Sequence, residues 1–141
     1  MIYLDTSVIV AAVTAELSTA RTQAWLLEQS SETFVTSAWT VTEFSSALSL
    51  KLRTRHVSLE QRAAAMAAFH EMLRENLAIA EVQSAHFQAA AGYVDHHELG
   101  LRSGDALHLA VAADLGAILC TLDHGLARIG PQLSVPTILI R

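Results

Sequence analysis

The sequence predicts an α/β fold in which a parallel sheet carries helices on both faces. Short apolar segments typical of buried strands alternate along the chain with longer segments whose apolar residues recur at helical spacing. Serine, threonine or aspartate, which favour helix N-termini, stands at the start of most helical segments. The 141 residues contain no repeat, low-complexity tract or linker, so we expect a single domain spanning residues 1–141.

The first half of the chain predicts two strands and four helices. The expected strands cover residues 2–4 and 33–36, and the expected helices begin at residues 7, 18, 37 and 58. Val41, Phe44 and Leu48 form an apolar stripe along the third helix. Ser58 and Gln61 have the spacing of a capping box, which predicts where the fourth helix starts.

The second half predicts three strands and three helices. The expected strands cover residues 77–82, 117–122 and 136–140, and the expected helices begin at Ser84, Ser103 and Asp123. The helix that begins at Ser103 is so apolar that much of it should be buried. Gly116 is placed to end that helix in the left-handed conformation.

The overall charge argues against binding of nucleic acid by bulk electrostatics. The formal charge is −5 and the pI is about 5.7, whereas proteins that bind phosphate backbones nonspecifically carry an excess of cations. One local basic patch stands out at Lys51, Arg53 and Arg55, which are candidate contacts for a ligand that carries phosphate. The alternative is a solvated helix end, where cations interact favourably with the helix dipole.

No feature of the sequence indicates export or membrane insertion. No apolar run approaches the roughly 18 residues that a membrane-spanning helix requires, and the N-terminus lacks the basic flank of a secretion signal. We therefore expect a cytoplasmic protein. Cys120, the only cysteine, lies in a predicted buried strand and is expected to be an inert, packed thiol.

Four acidic residues carry the functional prediction. Asp5 and Asp123 follow predicted strands, and Glu43 and Asp105 lie in predicted helices. Carboxylates near the carboxyl ends of strands in an open α/β sheet converge on the crevice where such folds bind ligands. Their mutual repulsion is relieved by a hard divalent cation held by oxygen, which predicts metal-dependent phosphate chemistry. For Asp5 and Asp123, capping of the following helix is the alternative interpretation.

These acids and their neighbours resemble the motifs of PIN-domain ribonucleases, and more narrowly those of VapC-type toxins of toxin–antitoxin pairs. The resemblance covers essentially the whole chain, and four segments carry it: the opening YLDTS at 3–7, the segment 37–48 around Glu43, RSGDALHLA at 102–110, and TLD at 121–123.

The resemblance implies a three-layer fold with a five-stranded parallel sheet in the order 3-2-1-4-5. It implies endonucleolytic cleavage of RNA by a metal-activated water. The implied ligands of Mg²⁺ or Mn²⁺ are Asp5, Glu43, Asp105 and Asp123.

Further implications concern hydroxyls and partners. The hydroxyl of Thr6 or Ser7, and that of Thr121, are expected to hydrogen-bond within the acidic cluster and orient it. The resemblance also implies a cognate antitoxin whose C-terminal segment inserts into the crevice, and a homodimer. Arg102 is a further candidate, either for a contact with RNA phosphate or for an ion pair with a carboxylate.

Several alternatives remain open on the sequence alone. A receiver domain is disfavoured, because it requires a lysine after a late strand and the only lysine, Lys51, lies in mid-chain. A haloacid-dehalogenase-like phosphatase is disfavoured as well, because it requires a second aspartate where this chain has Ser7. A PIN-like binding module without turnover and a PIN nuclease of RNA maturation also remain. His108, three residues after Asp105, is either a hydrogen-bonded core histidine or a contact to a ligand.

Overall fold

The structure, a computed structural model, describes all 141 residues. Its middle layer is a five-stranded parallel sheet in the order β3-β2-β1-β4-β5, which confirms the predicted fold class and strand order. The strands are β1 (Ile2–Leu4), β2 (Phe34–Ser37), β3 (Leu77–Ala80), β4 (Ile118–Thr121) and β5 (Thr137–Leu139). The helices are α1 (Thr6–Val13), α2 (Thr19–Glu28), α3 (Ala38–Arg53), α4 (Leu59–Glu75), α5 (Ser84–Val94), α6 (Ser103–Asp114) and α7 (His124–Ile129), with 3₁₀ turns at His97–Leu99 and Gly130–Leu133.

The central strand β1 separates two apolar cores. Successive strand residues point to opposite faces of a sheet, and Tyr3 accordingly packs in one core while Ile2 and Leu4 pack in the other. The Tyr3 core includes most of helix α6, and the other core includes Phe44 of α3 and Cys120 of β4. The buried position of Cys120 agrees with the expected inert thiol, and burial raises the pKa of that thiol.

Helix α6 is buried along most of its length, as its composition predicts. Every residue from Ala106 to Ala112 is buried, and Gly116 adopts a φ of +61° after the helix ends. The predicted capping box is also present, because Ser58 and Gln61 each bond the other's backbone N–H.

Several local predictions were wrong. Phe44 and Leu48 are buried as predicted, but Val41 is 41% exposed. The third buried residue of helix α3 is Thr40 instead. Ser37 occupies the N-cap position of α3, but its side chain bonds Tyr3 instead of capping.

Helices α5 and α6 begin at Ser84 and Ser103 as predicted, but two of the predicted serine caps are absent. Ser18 precedes α2 without capping it. Ser103 is the first residue of α6, and the N-cap position is held by Arg102. No helix is both long enough and apolar enough to cross a membrane.

Candidate active site

A cavity of about 440 Å³ lies where β1 and β4 give way to the helices that follow them. All four acids singled out from the sequence line this one cavity. Its walls are completed by hydroxyl, basic and aromatic residues; the full lining is Asp5, Thr6, Ser7, Trp39, Glu43, Arg102, Ser103, Gly104, Asp105, His108 and Asp123.

Asp5 is the most deeply buried of the four acids, with 4% of its surface exposed. Its Oδ1 accepts hydrogen bonds from Ser7 Oγ at 2.6 Å and from the Val8 backbone N–H at 3.1 Å, and its Oδ2 accepts one from Thr121 Oγ1 at 2.5 Å. Burial raises the pKa of Asp5, and these bonds together with the charge of His108 oppose that rise. Asp5 therefore caps α1 and still lines the cavity, so the two interpretations of this residue are compatible.

Glu43 enters the cavity from helix α3, on a different face from the buried stripe. Its Oε1 accepts hydrogen bonds from Thr6 Oγ1 at 2.6 Å and from His108 Nε2 at 2.5 Å. Burial raises the pKa of this carboxyl. The hydrogen bond and charge of His108 lower it, as do Thr6 and the indole of Trp39, and together they outweigh burial, so the pKa of Glu43 lies below its ordinary value. Glu43 is therefore an ionised carboxylate at neutral pH.

Asp105 and Asp123 form the outer part of the cavity, where Arg102 links them. Arg102 Nε lies 3.3 Å from Asp105 Oδ2, and a terminal nitrogen of the same guanidinium lies 3.3 Å from Asp123 Oδ2. Burial raises the pKa of Asp105, Arg102 lowers it, and the negative charge of Asp123 raises it again. Asp123 also caps α7, because its Oδ1 accepts the Leu126 backbone N–H at 2.8 Å.

The structure assigns a partner to each of the three candidate hydroxyls. Ser7 and Thr121 bond Asp5, whereas Thr6 bonds Glu43. Ser7 also accepts the Leu122 backbone N–H at 3.0 Å, which ties the loop after β4 to the start of α1. The sequence left open which of Thr6 and Ser7 would bond the acids, and both do so with different partners.

His108 combines the two interpretations that the sequence left open. Only 2% of its surface is exposed, yet Nε2 bonds a carboxylate of the cavity while Nδ1 lies 2.7 Å from the hydroxyl of Tyr3. Sequence analysis missed Tyr3 and Gly104 as parts of the site. The position of His108 on the predicted buried helix was a usable signal, but nothing in the sequence indicated that Tyr3 would meet it.

The basic patch does not line the acidic cavity. Lys51 forms an ion pair with Glu16 at 2.6 Å, and Arg53 and Arg55 are exposed. Lys51 does line a neighbouring groove that shares Thr6 and Ser7 with the acidic cavity. The patch is therefore close to the site along one groove, whereas Arg102 alone among the candidate RNA contacts lies within the cavity.

The acids share a cavity without forming a ready-made coordination sphere. No three or more Asp, Glu, His or Cys side chains are arranged to hold a metal ion. The geometry explains this arrangement, because Arg102 holds Asp105 and Asp123 while His108 and Thr6 hold one oxygen of Glu43. An acid-lined cavity at the strand ends of a parallel sheet defines a carboxylate site of the kind that binds a cation or a cationic side chain.

Comparison with known proteins identifies the family. The PIN domain family model matches residues 2–131, so the chain belongs to the PIN domain family. No curated protein gives a significant sequence match.

Solved structures share this fold, and three of them illustrate the likeness. FitAcB from Neisseria gonorrhoeae is 23% identical with a TM-score of 0.66, and the match covers 98% of this chain and 96% of that one. VapC20 from Mycobacterium tuberculosis, described as a toxin that cleaves the sarcin-ricin loop, is 20% identical with a TM-score of 0.72 over 92% and 95% of the two chains. VapBC2 from Rickettsia felis, bound to a DNA fragment from its promoter, is 16% identical with a TM-score of 0.72 over all of both chains.

Proposed function

We propose that this protein is an endoribonuclease dependent on Mg²⁺ or Mn²⁺, and that it is the toxin of a VapBC-type toxin–antitoxin pair. The observation that carries the proposal is the meeting of four carboxylates, from positions spread across the chain, in one cavity of a PIN domain.

The donor set of the cavity fits a hard divalent cation. Its four carboxylates and nearby hydroxyls are oxygen donors, which Mg²⁺ and Mn²⁺ prefer. The raised pKa values of Asp5 and Asp105 reflect burial that disfavours their negative charge, and a bound cation would remove that cost. The residues that would hold it are Asp5, Glu43, Asp105 and Asp123.

The chain's own residues prepare the cavity for phosphodiester hydrolysis. When bound, the cation would activate a water for in-line attack and neutralise charge that develops on the phosphoryl oxygens. Ser7 and Thr121 hold both oxygens of Asp5 in place, and Thr6 holds Glu43. Arg102 lies at the exposed mouth with 77% of its side chain accessible, where its guanidinium can contact a substrate phosphate.

RNA as the substrate agrees with the distribution of charge around the cavity. The groove that shares Thr6 and Ser7 with the site contains Lys51, and Arg53 and Arg55 follow on the same helix end. These three cations and Arg102 are the proposed backbone contacts in a protein whose overall charge is negative. The likeness to a toxin that cleaves a ribosomal RNA loop supports RNA over DNA.

The proposed partner is an antitoxin that carries an arginine. A cavity lined by four acids suits a guanidinium, and Arg102 already forms ion pairs with two of those acids. Structures of similar fold include a member of a family of toxin–antitoxin systems and a toxin–antitoxin complex. We propose in addition that the toxin forms a homodimer, which a measurement of mass in solution will test.

Mapping of cleaved RNA tests the function. Purified protein incubated with total RNA and Mg²⁺ should produce discrete fragments with 5′-phosphate and 3′-hydroxyl ends, and excess EDTA should stop cleavage. Asp105→Asn should abolish cleavage, while the matched variant Asp114→Asn, at an exposed position on the same helix, should retain it. Cleavage that persists in EDTA, or that survives Asp105→Asn, would refute the proposal.

A further inference from the structure

A buried chain of hydrogen bonds connects the sheet to the candidate metal ligand Glu43. Ser37 at the end of β2 and Tyr3 in β1 are both fully buried, and their hydroxyl oxygens lie 2.8 Å apart. The Tyr3 hydroxyl lies 2.7 Å from His108 Nδ1. His108 Nε2 in turn lies 2.5 Å from Glu43 Oε1.

The direction of each bond follows from the chemistry of its ends. The ionised carboxylate of Glu43 can only accept, so His108 Nε2 must carry a proton and donate it. The Tyr3 hydroxyl donates its proton to Ser37 Oγ, so the Tyr3 oxygen is the acceptor for Nδ1–H of His108. Each donor therefore has one acceptor, and the chain ends at a single carboxylate oxygen.

The two oxygens of Glu43 consequently have different environments. Oε1 accepts from both His108 and Thr6, which occupies it within the protein. Oε2 faces Gly104, where a Cβ atom would lie only 3.1 Å from it. Glycine at the first turn of α6 thus leaves room for Oε2, the oxygen of Glu43 that neither Thr6 nor His108 bonds.

We propose that Ser37, Tyr3 and His108 form a positioning relay that fixes Glu43 so that Oε2 alone is offered to the bound cation. The relay rests on the proposed metal site and adds to it a role for buried residues that never touch substrate. Hydrogen bonds of this kind orient a ligand and increase its basicity, and their loss typically weakens metal binding by about 10–100-fold.

Metal affinity measured without turnover tests the relay. Binding of Mn²⁺, followed by the electron paramagnetic resonance of the free ion, should weaken by about 10–100-fold in His108→Phe, which removes both bonds of the ring. Tyr3→Phe should weaken it by a few-fold, because the bond from His108 to Glu43 remains. Gly104→Ala should also weaken binding, because the added methyl displaces Oε2. Saturating metal should restore cleavage in all three variants.

A control separates positioning from general stability. Phe44→Leu removes packing next to Glu43 on the same helix, where Phe44 contacts Phe69 in the opposite core. This variant should lower the melting temperature while leaving Mn²⁺ affinity unchanged. If His108→Phe does not fold, Tyr3→Phe and Gly104→Ala decide the question, because each changes only one or a few atoms.

The outcomes distinguish the relay from the metal site itself. Wild-type protein that binds no Mn²⁺ would refute the metal site and the relay together. Wild-type protein that binds Mn²⁺, with unchanged affinity in Tyr3→Phe and Gly104→Ala, would refute the relay alone. A loss of affinity in Phe44→Leu equal to that in Tyr3→Phe would also refute it, because general loosening of the core would then explain both.

Discussion

The inner and outer halves of the acidic cavity are held in different ways. The inner half, Asp5 and Glu43, has its carboxylates fixed by buried or half-buried hydroxyls and by the buried His108 at 2.5–2.6 Å. In the outer half, Asp105 and Oδ2 of Asp123 face a single exposed arginine at 3.3 Å, and only Oδ1 of Asp123 is held by a backbone N–H. Rigid bonds to buried partners fix geometry, whereas an ion pair to an exposed side chain is weak and easily exchanged. One half is thus prepared for a ligand, and the other can adjust when a ligand arrives.

The largest expected difference between the halves is in catalysis. Asp5→Asn should reduce cleavage by about 10³-fold or more, which corresponds to roughly 4 kcal/mol of transition-state stabilisation. Asp123→Asn should cost at least about tenfold less, since Asp123 is only half-buried and its exposed arginine partner can move. Single-turnover rates with a defined RNA fragment measure both effects. Equal losses in the two variants would contradict the distinction between the halves.

Removal of the outer arginine should change metal affinity in the opposite direction to catalysis. Arg102→Gln frees Asp105 and Asp123 from an ion pair worth about 1 kcal/mol at most, so Mn²⁺ should bind up to about fivefold more tightly. Cleavage at saturating metal should nevertheless fall, because the proposed phosphate contact is lost. Weaker Mn²⁺ binding in this variant would show that Arg102 supports the site instead of competing for it.

The inner half should also limit the stability of the metal-free protein. Burial raises the pKa of Asp5 above its ordinary value, so the folded state binds its proton more tightly than the unfolded state does. Stability from this group is therefore lost as the pH rises from about 4, the ordinary value, through the raised folded value.

Asp5→Asn should for that reason raise the melting temperature of the metal-free protein at neutral pH by a few degrees. The gain should vanish at a pH below the ordinary carboxyl pKa, where wild-type Asp5 is protonated. Saturating Mg²⁺ should stabilise the wild type and not the variant. Thermal unfolding in EDTA at two pH values measures the effect, and a lower melting temperature for the variant at neutral pH would contradict this account.

The smallest effects are expected outside the cavity, in the basic patch. Lys51 is paired with Glu16, whereas Arg55 is exposed with no ion-pair partner. Arg55→Gln should reduce by about one the slope of the logarithm of RNA affinity against the logarithm of salt concentration, as expected for one lost phosphate contact. Lys51→Gln should change it less, because its charge is already neutralised. A larger change for Lys51 would mean that RNA displaces Glu16.

Sequence alone predicted the sheet and the composition of the cavity better than it predicted contacts. Strand order followed from a family resemblance, and the convergence of the four acids followed from the rule that strand ends meet at one crevice. The bond from Tyr3 to His108 joins residues that are 105 positions apart, and neither residue carries a local signal of that contact. Ser18 and Ser37 stand at N-cap positions as predicted but make no capping bond, because capping preference is a local tendency that tertiary contacts such as the bond between Ser37 and Tyr3 override.

Equilibrium titration of the metal-free protein with Mn²⁺ tests the central claim most directly. The account predicts saturable binding that Mg²⁺ displaces, that Asp5→Asn abolishes, and that Asp114→Asn leaves unchanged. Absence of saturable binding, or equal binding by wild type and Asp5→Asn, would contradict it.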